Sequence, residues 1–305
     1  MARPVASAAP ATLLKVRSLI VLKSCPLTAG QTADGRAGIP PLIAPGSLTR
    51  YRRGRNRPSS TMNPIVLIPA RMAATRLPGK PMADIGGLPM IVRVLRQAEA
   101  AGARVAVAAG DREIVQAVEA AGGQAVLTDP DLPSGSDRIL AALASLDPER
   151  RHDAVVNLQG DMPFVDPAVV AACLGLMARE PDCDIATVAA AESSAADRAN
   201  PDVVKAVLAL PAGAQAGRAL YFTRSTLYGD QPVWRHVGIY GYRRTALEAF
   251  NAAPPSPLER REKLEQLRAL ELGLSIWAAV VEAAPISVDT PADLEAARRH
   301  AKEAR

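Results

Sequence analysis

The chain has 305 residues, 49% of them hydrophobic and 22% charged, enough to bury a full core without disulfide or metal staples, which excludes wholesale disorder. No run of about 18 apolar residues is free of charge, which excludes a membrane-spanning helix. The net charge of +5 is unevenly spread: ten basic residues and one acid precede Met62, so residues 1–61 carry +9 and residues 62–305 carry −4, and the main part of the chain has no electrostatic footprint for nucleic acid.

Residues 1–61 show no sustained helical or strand period and are rich in Pro, Gly, Ala, Ser and Arg. They read as a disordered extension, or as an upstream start used in place of Met62. A signal peptide is a poorer reading, because Lys15 and Arg17 interrupt the apolar Leu13–Leu22 segment; a basic arm for nucleic acid or anionic membrane is another. Residues 62–305 are expected to form the functional domain. The cysteines Cys25, Cys173 and Cys183 match no zinc spacing, and a sparse, odd count fits a reducing compartment.

From Ile65 strand and helix patterns alternate. Ile65 to Pro69 is a continuous apolar run, as in a strand covered on both faces. Pro89 to Ala101 has helical spacing and stops at Gly102. Val105 to Ala109 is a strand, and Asp111 is placed to cap a helix through Ala121. Ala125 to Leu127 is a short strand, Ser136 is expected to cap a helix to Leu146, and Ala154 to Leu158 is a strand. Asp166 caps a helix to about Arg179. Strands follow at 185–190, 203–208, 219–223 and 237–242, then one long helix over 257–272, a strand at 275–281 and a helix over 291–302. This βα alternation predicts an α/β fold with a mixed, mostly parallel sheet flanked by helices.

In such sheets ligands sit beyond the carboxyl ends of the strands. Four segments there carry unusual residues. Pro69 to Pro81 gathers Arg71, Arg76 and Lys80 around Gly79 after the first strand. That suits a polyphosphate, although it is not a Walker A loop; a solvated basic loop is the alternative. Ser134 to Arg138 opens a helix with hydroxyls and a cation that opposes the helix dipole, or is an ordinary capped start. Asp161 follows Gly160 at a strand tip, either as a turn residue or as one of the one or two carboxylates that commonly hold Mg²⁺ with phosphate oxygens. Asp289 precedes the last helix, either as its N-cap or as a second metal carboxylate. His236, at an expected strand start, reads as structural, and no Ser–His–Asp or Cys–His arrangement can be argued from spacing.

In order, Pro69 to Pro81, Ser134 to Arg138, Gln159-Gly-Asp161, Asn200 to Lys205, Tyr221 to Arg224, Arg235 to Tyr242, Ser256 to Glu259, Leu264 to Arg268 and Val288 to Pro291 resemble the 3-deoxy-manno-octulosonate (Kdo) cytidylyltransferases. The resemblance runs from Met62 to about Arg299. It implies a glycosyltransferase-A-like nucleotidyltransferase fold, a homodimer, the substrates CTP and Kdo, a Mg²⁺ cofactor, and a Gram-negative cytoplasm supplying the lipopolysaccharide inner core. Carried over by motif, it implies Arg71, Lys80 and, in the same loop, Arg76 as triphosphate ligands. Ser134 and Arg138 become cytosine and nucleotide contacts, and Gln159 a residue at the junction of sugar and nucleotide. Asp161 and Asp289 become metal carboxylates; with Lys80 they form the expected catalytic set. Arg224, His236, Tyr240, Glu265 and Gln266 become the sugar set. The chain departs from the family pattern at Leu132-Pro133, often His-Gln, and at Met162, often Glu. A cytidylyltransferase for sialic acid or an amino analogue of Kdo is the nearest alternative; a non-catalytic nucleotide-sugar-binding regulator is the other.

Overall fold

The computed structural model describes residues 62–73, 76–192, 194–229 and 233–303; residues 1–61, and with them the expected extension, lie outside the described residues. The strands are β1 (Pro64–Ala70), β2 (Asp84–Ile85), β3 (Leu88–Pro89), β4 (Arg104–Ala109), β5 (Ala125–Leu127), β6 (Ala154–Asn157), β7 (Ile185–Glu192), β8 (Lys205–Ala209), β9 (Ala216–Thr223), β10 (Val233–Arg243) and β11 (Ile276–Val281). The helices are α1 (Met90–Glu99), α2 (Arg112–Ala120), α3 (Gly135–Leu146), α4 (Pro167–Arg179), α5 (Ala195–Ala199), α6 (Arg244–Ala252), α7 (Pro257–Glu262), α8 (Gln266–Glu271) and α9 (Pro291–Glu303). No helix among the described residues is long and apolar enough to cross a membrane.

Nine strands form one sheet in the order β5-β4-β1-β6-β10-β7-β11-β9-β8, and β2 and β3 form a separate hairpin. The pairings run β1, β4, β5, β6, β7, β8 and β11 in one direction and β9 and β10 against them. The sheet is therefore mixed and mostly parallel, as the alternation predicts.

β1 is apolar throughout because both faces are covered. Val66 and Ile68 join the core beneath α1, α2 and α4. Ile65 and Leu67 point the other way, to α3, α6 and α8. A third, smaller cluster, with Ile85, Met90, Val288, Leu294 and Ala297, packs α9 against the hairpin and the start of α1. Those last contacts bring Asp289 back to the edge where β1 and β6 end.

Several local expectations change. Ser134, not Ser136, caps α3, its Oγ accepting the Asp137 N–H at 3.1 Å. The helix expected over 257–272 is two helices: Lys263 adopts φ 55 and ψ 45, ending α7, and α8 starts afresh at Gln266. The strand expected over 237–242 starts at Val233 and contains a bulge between Val237 and Tyr240. Its apolar pattern is broken before Val237 by Trp234-Arg-His, which hid the first half.

Candidate active site

Six of the predicted residues, Arg71, Lys80, Ser134, Arg138, Gln159 and Asp161, line one cleft of about 310 Å³ at the carboxyl ends of β1, β4, β5 and β6. Its floor needs glycine. A Cβ on Gly160 would lie 2.9 Å from the Pro69 carbonyl oxygen. Gly79 sits at φ 70 ahead of the 3₁₀ turn Lys80–Met82, a left-handed conformation that glycine adopts without strain. The loop after β1 is pinned by its backbone: the Gly79 N–H donates to Met72 O at 3.1 Å, and the Met72 N–H to Asp111 Oδ2 at 2.7 Å. Asp111 precedes α2, but its side chain makes no cap hydrogen bond. The carboxylate read as a helix cap instead holds the basic loop.

Lys80 Nζ donates to Asp161 Oδ2 at 3.0 Å and to Asp289 Oδ1 at 3.1 Å, and Arg76 Nη2 lies 3.2 Å from Asp289 Oδ2. Burial opposes the charge on Lys80, yet the two carboxylates outweigh it and hold its pKa above the ordinary value. Burial pushes the Asp161 carboxyl upward against the pull of Lys80, with Asp289 adding to the rise. Asp161 Oδ1 is buried and has no hydrogen-bond partner among the described residues. A buried acceptor without a donor is costly, and a cation ligated there would satisfy it. Two carboxylates converging on one point with such an oxygen fit a Mg²⁺-type ion that takes its remaining ligands from phosphate and water.

Asp289 is not the cap of α9. Thr290 Oγ1 accepts the Asp293 N–H at 3.2 Å, and Asp293 Oδ2 accepts the N–H groups of Asp289 at 3.1 Å and Thr290 at 2.8 Å. The reciprocal arrangement is a capping box, and it leaves the Asp289 carboxylate free to face Lys80. The Val288 N–H donates to Asp161 O at 2.9 Å, tying the two acidic segments together. Sequence reasoning missed Asp293, although Thr-Pro-Ala-Asp before a helix carries the box signature.

Arg138 is 2% exposed. Its Nη1 donates to Thr128 Oγ1 at 2.7 Å and to Asp129 O at 2.9 Å, and its Nη2 to Pro130 O at 3.1 Å. The cation that opposes the α3 dipole thus gathers the loop after β5 into the cleft wall. Leu132 and Pro133 line the cleft, so the first family departure falls on its wall. Met162 is 6% exposed and packs in the core, so the second presents an apolar side chain to the interior.

The predicted sugar residues gather beside this cleft. Across an unbroken strand, residues four apart are separated by about 13 Å; the β10 bulge brings the His236 and Tyr240 ring centroids to 5.4 Å. His236 Nε2 lies 2.9 Å from Thr187 Oγ1 and its ring packs edge-on against Phe222. Burial pushes the imidazole down to about 3, so it is neutral near pH 7. The break between α7 and α8 presents Glu265, which accepts from Ser136 Oγ at 3.1 Å and so joins that break to the start of α3. Burial also raises its carboxyl pKa. Gln266 is buried in the first turn of α8. Arg224 stands slightly apart, donating to Glu262 O at 3.2 Å and Pro201 O at 2.9 Å. Its own carbonyl accepts from Lys205, a fully buried ammonium that also reaches Asn200 O.

Parallel strands delivering a basic loop, a two-carboxylate centre and a hydroxyl-rich helix start to one edge define a nucleotidyltransferase of the glycosyltransferase-A-like kind. The family model for cytidylyltransferases matches residues 65–276. The 3-deoxy-manno-octulosonate cytidylyltransferase of Parvibaculum lavamentivorans is 58% identical over 238 residues, covering 77% of this chain and 92% of that one. Its counterpart from Rhodopseudomonas palustris strain TIE-1 is 59% identical over 237 residues, covering 77% and 96%. The solved structure of CMP:2-keto-3-deoxy-manno-octonic acid synthetase complexed with CTP matches at a TM-score of 0.72 and 38% identity, covering 80% of this chain and 100% of that one. Apo UDP-glucose pyrophosphorylase, 14% identical at a TM-score of 0.58, shares the fold. The chain belongs to the 3-deoxy-manno-octulosonate cytidylyltransferase family.

Proposed function

We propose that the protein catalyses CTP + Kdo → CMP-Kdo + pyrophosphate. The observation that carries this reading is the meeting of Lys80, Asp161 and Asp289, from three distant segments, beside a cleft walled by Arg71, Ser134 and Arg138. In this reading the anomeric hydroxyl of Kdo attacks the α-phosphorus and pyrophosphate leaves in line, so the protein's work is positioning and charge stabilisation. Arg71, Arg76 and Lys80 hold the triphosphate and offset charge on the departing pyrophosphate. Ser134 meets the nucleotide, and Arg138 keeps the cytosine-side loop in place. Gln159 stands at the junction. Arg224, His236, Tyr240, Glu265 and Gln266 orient the sugar acid; neutral His236 serves as a hydrogen-bonding partner rather than a cation.

Asp161 and Asp289 would hold Mg²⁺, which when bound supplies charge neutralisation at phosphate and a lowered pKa for a coordinated hydroxyl. The family resemblance also carries a homodimer, a bacterial cytoplasmic setting and supply of the lipopolysaccharide inner core; sedimentation measures the first directly. Pyrophosphate release is expected from the protein with CTP, Mg²⁺ and Kdo, lost with EDTA and absent when sialic acid replaces Kdo. Release driven by sialic acid in place of Kdo would move the assignment to another acidic sugar. Loss of neither activity nor rate in EDTA would remove the metal from it.

A further inference from the structure

Lys80 stands where a cation held by both carboxylates would stand. Its nitrogen is 3.0 Å from Asp161 Oδ2 and 3.1 Å from Asp289 Oδ1, whereas an ion ligated by the same oxygens sits about 2.1 Å from each. Two positive groups cannot share that space, and their repulsion would be strong among part-buried side chains. Lys80 also lines the cleft that Arg71 shares, and its four-carbon stem gives the ammonium the reach to turn towards a bound phosphate. The oxygen of Asp161 that Lys80 leaves without a donor is a ligand kept in reserve.

We infer that Lys80 is an internal plug of the metal centre: without nucleotide its ammonium neutralises Asp161 and Asp289 and keeps divalent cations out, and triphosphate binding draws it away and opens the site. The inference deepens the proposed function and rests on its metal assignment. It makes metal and CTP binding mutually reinforcing through a residue of the chain, beyond any direct contact between metal and phosphate. It also keeps two converging carboxylates, Asp161 largely buried and Asp289 partly exposed, from facing each other uncompensated between turnovers. Arg76 adds a second contact to Asp289 from the exposed side, but does not touch Asp161.

The test is Mn²⁺ binding by the full chain without nucleotide, read by electron paramagnetic resonance. If the plug occupies the centre nine-tenths of the time or more, Lys80→Met should bind Mn²⁺ about tenfold or more tightly than the unaltered protein. The gain should vanish in Lys80→Met/Asp289→Asn, and Lys80→Arg, which keeps a positive charge, should stay weak. Lys80→Gln, which can still donate to one carboxylate, guards against misfolding of the Met variant and should also gain. Mn²⁺ should raise the thermal midpoint of Lys80→Gln more than that of the unaltered chain. Equal Mn²⁺ affinity in the unaltered, Gln and Met proteins would overturn the plug. Equilibrium dialysis of Mn²⁺ with CTP separates the two failures: if Asp161→Asn retains as much Mn²⁺ as the unaltered protein, the metal assignment itself fails. If it retains less while Lys80→Met gains nothing without CTP, the plug alone fails.

Discussion

At Asp161 one carboxylate oxygen meets Lys80 and the other meets no donor among the described residues, an arrangement that adds little to the fold and underlies the proposed metal role. Asp161→Ala is expected to cut pyrophosphate release by about a hundredfold or more with the circular dichroism spectrum unchanged. Activity within a few-fold of the unaltered enzyme would dismiss the metal assignment. Lys80→Ala should raise the CTP requirement steeply; an unchanged KM for CTP would take Lys80 out of phosphate binding. That Lys80, Asp161 and Asp289 belong together was legible only through the ordered motifs of the family resemblance, since a turn role for Asp161 and a cap role for Asp289 fit the local sequence equally well. Asp111 and Asp293 were harder to place. An acidic residue beside a helix start satisfies capping rules whichever N–H it accepts from, and only the tertiary path shows that Asp111 reaches Met72 and that Asp293 holds Asp289.

Two helix ends set the shape of the site. The box formed by Thr290 and Asp293 orients the segment that carries Asp289, so Asp293→Ala should cost about 1 kcal/mol of stability and lower kcat more than it raises the KM for CTP. Asp293→Asn retains an acceptor oxygen and should recover most of kcat; equal loss in both variants would show that the box does not position Asp289. At the other end Lys263 holds a left-handed backbone that costs a non-glycine residue roughly 1 kcal/mol. Lys263→Gly is expected to raise the unfolding midpoint in denaturant, with Glu265 still in place. A lower midpoint would mean that the lysine side chain repays its strain. The break itself was illegible: residues 257–272 keep helical spacing across it, because Leu258, Leu264 and Leu267 turn to the same apolar cluster on either side of it.

Away from the cleft, where β6 begins and β10 ends, a buried pair joins the end of α3 to the start of α6. Arg244 Nη1 lies 2.5 Å from Asp147 Oδ2, and the Asp147 carboxylate also accepts the N–H groups of Arg151 and His152. Burial opposes its charge, but those donors and Arg244 prevail and hold Asp147 down to about 2 against an ordinary 3.8. The folded state therefore binds fewer protons than the unfolded chain between these values. The contribution is complete above about pH 4 and disappears as pH falls through 2. Asp147→Ala removes the buried partner of the guanidinium, which keeps only Glu248 at 3.3 Å as a carboxylate partner, and should cost about 2 kcal/mol, with a flattened acid limb in a stability–pH profile; an unchanged limb would locate acid sensitivity elsewhere. At this scale the architecture was largely readable, since continuous apolar runs can be strands covered on both faces and βα alternation fixes their common direction. The insertion of β10 between β6 and β7 was not, because strand order depends on which edge remains open when a distant segment arrives.

That order of arrival matters during synthesis. Lys80 and Asp289 are 209 residues apart in the chain, and Val288 joins Asp161 only when the segment before α9 comes home. A polypeptide still on the ribosome, with β1 and β6 already paired, has the cleft but half of its acidic centre. The second carboxylate arrives only when the segment before α9 is released, so under the proposed function an incomplete chain is expected to turn over no nucleotide.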